Sequence, residues 1–146
     1  MLKLDNPGLS DKLVPALCKE ACKNSDPNIK VQALLVMAQF SSKMDKKYIA
    51  GNILPSLKYI TDNDRTPMVS MAVVGMYDSI AEAVGPDYIA SDVLPSVLPL
   101  LVERTMNREQ FKTVIILIKS LLKRIAEVRT KELAMEMMSF GEEEGG

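Results

Sequence analysis

Leu13-Val14-Pro15-Ala16-Leu17, Ile53-Leu54-Pro55-Ser56-Leu57 and Val93-Leu94-Pro95-Ser96-Val97 lie forty residues apart, with no gap needed to align them. The match spreads outward at the same offset. Tyr48-Ile49-Ala50 falls on Tyr88-Ile89-Ala90, and Asp26-Pro27 falls on Thr66-Pro67. Val31, Met71 and Phe111 coincide, as do Leu34, Val74 and Val114, and then Met37, Tyr77 and Leu117. A proline at one phase in three successive units, with apolar positions tracking it, marks an internal repeat.

Each unit reads as two helices. The first carries the proline and is expected over roughly 9–23, 50–61 and 90–104. The second is expected over roughly 27–43, 67–84 and 107–138. Asp26 and Thr66, each followed by proline, have the chemistry of helix caps. Asn107 with Gln110 resembles a capping box, and Gly85-Pro86 is a stop. The prolines at 15, 55 and 95 are expected near the amino ends of their helices, where a missing N–H costs least. A forty-residue pair of helices fits the HEAT/armadillo class of repeats. The turn Ser25-Asp26-Pro27-Asn28-Ile29-Lys30-Val31-Gln32-Ala33-Leu34 also resembles a HEAT turn.

The expected fold is therefore all-α, a solenoid of about three HEAT-type hairpins with an extended last helix. The repeat domain would span 1–140, with units at about 9–46, 47–86 and 87–138. Residues 141–146, Gly-Glu-Glu-Glu-Gly-Gly, have the composition of a disordered acidic tail.

Composition narrows the chemistry. The chain has 146 residues, 47% of them apolar, with a net charge of −1. Its isoelectric point near 5.5 argues against a general nucleic-acid binder. It has no histidine, the commonest general base and metal ligand. Cys18 and Cys22 sit one helical turn apart on an apolar face, where thiols act as small hydrophobes, and free thiols fit a reducing compartment. No phosphate loop, nucleophile–base pair or carboxylate pair stands out. Neither an enzyme nor a cofactor is expected. Unbroken apolar runs such as Val114–Ile118 fall far short of the roughly 20 residues a membrane helix needs. A cytoplasmic protein is expected.

Two regions stand apart. The second helix of the middle unit is apolar around most of its circumference from Met68 to Val84, interrupted by Ser70, Asp78, Ser79 and Glu82. Such a helix is buried on several sides; the rival reading is a methionine-lined groove for a partner's helix. Gly75, inside it, is expected at a close helix–helix contact. The last helix carries Phe111, Val114, Ile118, Leu121, Ile125 and Val128 at alternating steps of three and four, a coiled-coil seam or the inward face of a capping helix. From Arg104 to Lys131 eight basic residues stand against two acidic ones, whereas residues 132–146 hold five glutamates and no base.

The stretch Asp92-Val93-Leu94-Pro95 through Pro99-Leu100, then Glu103, Asn107, Gln110-Phe111, Ile118-Lys119, Leu122, Arg124 and Thr130-Lys131, resembles the HEAT region of the Scy1-like pseudokinases, in its coated-vesicle-associated branch. Asn52-Ile53-Leu54-Pro55 and Gly75-Met76-Tyr77 fit the same region. The resemblance implies a cytoplasmic scaffold in clathrin-associated traffic between the Golgi and endosomes, with coat or adaptor proteins as partners. It also implies a fragment, since the family carries a degenerate kinase domain ahead of its repeats.

Partner contacts are expected along the row of second helices, at Gln32, Gln39, Ser79, Lys112, Lys119 and Lys123. Two further readings are an anionic membrane surface met by the basic last helix, and an architectural spacer that dimerises through that helix.

Overall fold

The computed structural model describes the backbone of residues 7–145 and the side-chain environments of residues 13–137. The described residues are helical and contain no strand. Helix α1 is Pro7–Lys23 and α2 is Pro27–Gln39, with a 3-10 turn at Ser41–Lys43. The second unit opens with α3, Lys46–Tyr48, passes through a π turn at Ile49–Ile53 and continues as α4, Leu54–Asn63. Helix α5 is Pro67–Tyr88. A second π turn, Ile89–Val93, leads into α6, Leu94–Val97, and a 3-10 turn, Leu98–Val102. Helix α7 is Arg108–Gly145.

Helices α2, α5 and α7 are the second helices of the three units, and they pack side by side in chain order. Helix α1 packs on α2, the second π turn on α5, and the Leu98–Val102 turn on α7. One apolar core runs through all three units, from Val14 and Leu34 through Ile53, Met76 and Val93 to Leu121. Each side chain fully buried there contributes roughly 1.5–3 kcal/mol. Helix α5 sits in the middle and buries nine residues, Ser70 among them. The stretch Pro67–Val102 is apolar and long enough to cross a membrane by composition, but it is broken at Gly85 and its apolar side chains belong largely to this core.

The caps follow the expected chemistry with one exception. Asp26 Oδ1 accepts from Asn28 N–H at 2.9 Å. Asn107 and Gln110 exchange bonds of 2.8 and 2.9 Å, a reciprocal capping box. Thr66, expected to cap α5, makes no side-chain cap bond. Asp64 serves that turn instead, accepting from Thr66 N–H at 2.9 Å. Asn24 does the same for Asp26 one repeat earlier. Gly85 breaks the helix at φ 82°, ψ 174°, a conformation open to glycine because it has no Cβ.

Two of the three prolines sit near helix amino ends, as expected: Pro55 and Pro95 are the second residues of α4 and α6. Pro15 instead lies inside α1, and the helices that hold Pro55 and Pro95 continue directly from the π turns. A proline ring collides with the carbonyl four residues back and offers it no hydrogen. Here the preceding turn is one residue wider, so that Leu54 N–H reaches Ile49 O and Leu94 N–H reaches Ile89 O.

Helix α7 runs through the boundary expected at residue 140, and its backbone is helical to Gly145. The side chains of Met138, Phe140 and the acidic tail lie outside the described ones.

Candidate interaction groove

The six residues expected to meet a partner are all exposed: Gln32 and Gln39 on α2, Ser79 on α5, and Lys112, Lys119 and Lys123 on α7. The packing of α2, α5 and α7 in chain order brings them onto three adjacent helices. Their chemistry differs. Ser79 Oγ donates to Gly75 O at 3.0 Å and is spent on its own helix. Lys112 stands 3.9 Å from Glu109 and Lys123 4.0 Å from Glu127, both as exposed pairs. Pairs of this kind are worth little and leave the cation free to exchange partners. Among the described residues Lys119 has no carboxylate at ion-pair distance.

Beside this row lies a groove of about 230 Å³ between α5 and α7. Met71, Val74, Gly75 and Asp78 form one wall, and Thr113, Ile116, Leu117 and Ser120 form the other. Its origin is visible in the repeat register. One unit earlier, the positions of Thr113, Ile116 and Ser120 hold Val73, Met76 and Ile80, all buried. Along α7 a serine therefore replaces an isoleucine and a threonine replaces a valine of similar size, and Ile116 is left 66% exposed.

Gly75 completes the opening. It stands where the neighbouring units carry Leu35 and Ile115, and a Cβ built on it would meet nothing within 4 Å. The close helix contact expected at Gly75 is thus absent, and the glycine instead leaves space at the mouth of the groove. The signal for this was present in the sequence as the Leu35, Gly75, Ile115 series. The groove is lined by apolar side chains with Asp78 as its carboxylate and Ser120 as a hydroxyl, while Thr113 Oγ1 donates to Glu109 O at 3.0 Å on its own helix. That mixture suits a side chain or short helix of another protein.

Other titratable groups are structural. Cys18 is buried, with Sγ 3.5 Å from Met37 Sδ. Burial pushes its thiol up, with the nearby Cys22 adding to the shift and Ser56 opposing it. Tyr77 has its hydroxyl pushed up to about 12, first by burial and then by the charges of Asp62 and Asp92. Ser96 is near enough to oppose this shift, yet its hydroxyl donates to Asp92 O at 3.0 Å, and the Tyr77 oxygen has no partner at hydrogen-bond distance. Among the described residues no group of three Cys, Asp or Glu side chains is placed to hold a metal ion.

Comparison with known proteins places these features in context. The chain is 28% identical over 140 residues to SCY1-like protein 2 of Mus musculus, and 27% identical over 140 residues to that of Homo sapiens. It is similar to SCY1-like protein 2. The aligned region covers 92% of this chain and 15% of each relative, so the chain spans about 15% of the length of the curated proteins it matches. This likeness supports a Scy1-like relationship over nearly all of the described helices. No family model matches the chain, and no solved structure matches it.

Proposed function

We propose that this chain is a HEAT-type repeat region of a Scy1-like pseudokinase and works as a non-catalytic scaffold for protein partners. Three observations support the repeat reading: the forty-residue register, the paired helices, and the packing of α2, α5 and α7 in chain order. The relationship to SCY1-like protein 2 supports the pseudokinase reading. Through the family resemblance, the setting is clathrin-associated vesicle traffic at cytoplasmic Golgi and endosomal membranes, with coat or adaptor proteins as the partners.

The observation that carries the binding reading is the α5–α7 groove with the exposed lysines of α7 on the same helix. A partner offering an apolar side chain and an acidic flank fits it. Pull-down from cytosol with the parent chain and with Lys112→Glu/Lys119→Glu tests the face. Loss of the retained proteins on charge reversal is expected, and an unchanged set would discard it.

Anionic membrane is the second reading, favoured by the exposed cations Lys112, Lys119, Lys123, Arg129 and Lys131 along α7. Sedimentation with vesicles, with and without anionic lipid, separates the two. Salt-sensitive binding to anionic vesicles alone would support it, and binding to neither would remove it.

A further inference from the structure

Helix α7 continues through the point where the earlier units turn. The first unit turns at Met44-Asp45, where Asp45 Oδ1 accepts from Tyr48 N–H at 2.7 Å and starts a new helix. The second unit turns at Gly85-Pro86. The matching residues of the third are Arg124-Ile125-Ala126, none of which stops a helix.

Beyond that point the forty-residue register places Leu133, Ala134, Met137 and Phe140 on Val93, Leu94, Val97 and Leu100, and on Ile53, Leu54, Leu57 and Ile60. Those eight earlier positions are all buried core. Residues 129–145 thus carry most of the apolar pattern of one more first helix. Leu133 and Met137 are 47% and 75% exposed.

The surface that such a helix would cover is also open. Phe111, in register with the half-buried Val31 and Met71 of the earlier units, is 43% exposed in the third. Two helices that pack across a short turn run antiparallel, so a helix covering α7 would run antiparallel to it. A straight α7 cannot bring its own continuation back.

Charge then selects the partner. The first part of α7 is basic, with Lys112, Lys119, Lys123 and Arg124, and residues 132–146 are acidic throughout. Two α7 helices crossing antiparallel near Val128 set residues 129–145 of each copy along 111–127 of the other. Glu132 then comes opposite Arg124, and Glu136 lies between Lys119 and Lys123. A parallel pairing would place like charges together.

We propose that two copies of this chain pair through α7, each supplying residues 129–145 as the helix that covers the other's open last unit. The interface uses the same patch on both copies and closes on itself, so it gives a dimer and no filament.

Sedimentation velocity and light scattering on the whole chain, across a concentration series, test this. The expected mass is twice 16.1 kDa. Leu133→Glu/Met137→Glu should return the 16.1 kDa monomer with the helical signal and melting of the repeats retained, because both residues are exposed within one copy. Glu136→Lys should raise the dimer dissociation constant at least tenfold, about the effect of one interfacial charge pair, and Lys123→Glu in the same chain should restore it. A mass of 16.1 kDa at every concentration overturns the proposal. So does a dimer indifferent to Leu133→Glu/Met137→Glu. Leu133→Glu/Met137→Glu leaves the groove lining and the α7 lysines unchanged, so a monomer that still captures partners separates pairing through α7 from the binding reading, and the Lys123→Glu chain is read for mass alone.

Discussion

Lys30 Nζ donates to Asp64 Oδ2 at 2.7 Å, joining the second helix of the first unit to the turn of the second across 34 residues of chain. Both side chains are close to nine-tenths buried, so screening by solvent is weak. Burial alone would raise the Asp64 carboxyl, but Lys30 and the Thr66 N–H outweigh it and hold it below its usual 3.8. A carboxylate lowered in the folded state contributes stability at pH values above its unfolded pKa, and the contribution is lost as pH falls through the folded one. Asp64→Asn should therefore flatten the acid limb of stability below pH 3.8. At neutral pH the same change leaves Lys30 buried without a counter-charge and should cost about 3 kcal/mol. Urea unfolding of both chains from pH 7 downward measures each effect.

Gly75 offers the opposite outcome. It is a solvent-facing glycine within a long helix, and an added Cβ meets no atom within 4 Å. Gly75→Ala should stabilise the chain by about 0.5–1 kcal/mol through reduced backbone freedom in the unfolded state. Gly75→Leu should fill part of the groove and weaken any partner seated there. A rise in melting temperature for the alanine chain, with partner capture lost only for the leucine chain, is the expected pattern.

Tyr77 buries a hydroxyl that has no hydrogen-bond partner. Tyr77→Phe removes that group while keeping the ring, and should leave stability unchanged or raise it by about 1 kcal/mol at neutral pH. The alkaline limb carries the sign. The folded hydroxyl ionises near 12 against an ordinary 10, so its contribution is complete below pH 10 and lost as pH rises towards about 12. The phenylalanine chain should lack that loss, as urea midpoints of the two chains across this range would show.

At the start of α7, Asn107→Ala removes one half of the reciprocal capping box with Gln110. The expected cost is about 1 kcal/mol. Asn107→Asp keeps an acceptor and adds a charge that suits a helix amino end, so it should match or exceed the parent chain. Thermal melts followed by circular dichroism compare the three.

Most of the helices were legible from the forty-residue register, because burial repeats where the fold repeats. Helix α2 at Pro27, α5 at Pro67 and the break at Gly85 all follow from proline and glycine chemistry that acts locally. The features that escaped depend on what stands opposite. Thr66 has the identity of a cap, yet its side chain makes no cap bond, and the turn is held by Asp64, which accepts the Thr66 N–H and is itself held by Lys30. Gly75 reads as a tight contact in one helix. Only the small Ser120 on the next helix, where the earlier unit has Ile80, turns it into an opening. Ser70 reads as a polar interruption of an apolar face, yet it is buried without a hydrogen-bond partner. The candidate site was therefore half visible. Its exposed lysines were readable from helical spacing, while the groove needed two helices to be placed together.

The wide turns ahead of Pro55 and Pro95 bear on how such a chain tolerates change. Each turn spends an extra residue on rotation instead of rise, so the side chains beyond it point in new directions while the helix scarcely lengthens. Proline and extra residue are then two halves of one mutation: replacing the proline leaves a residue too many, and deleting the residue leaves a ring with nowhere to fit. Either change alone should rotate Leu57 and Ile60, or Val97 and Leu100, out of the core, whereas both together could pass unnoticed.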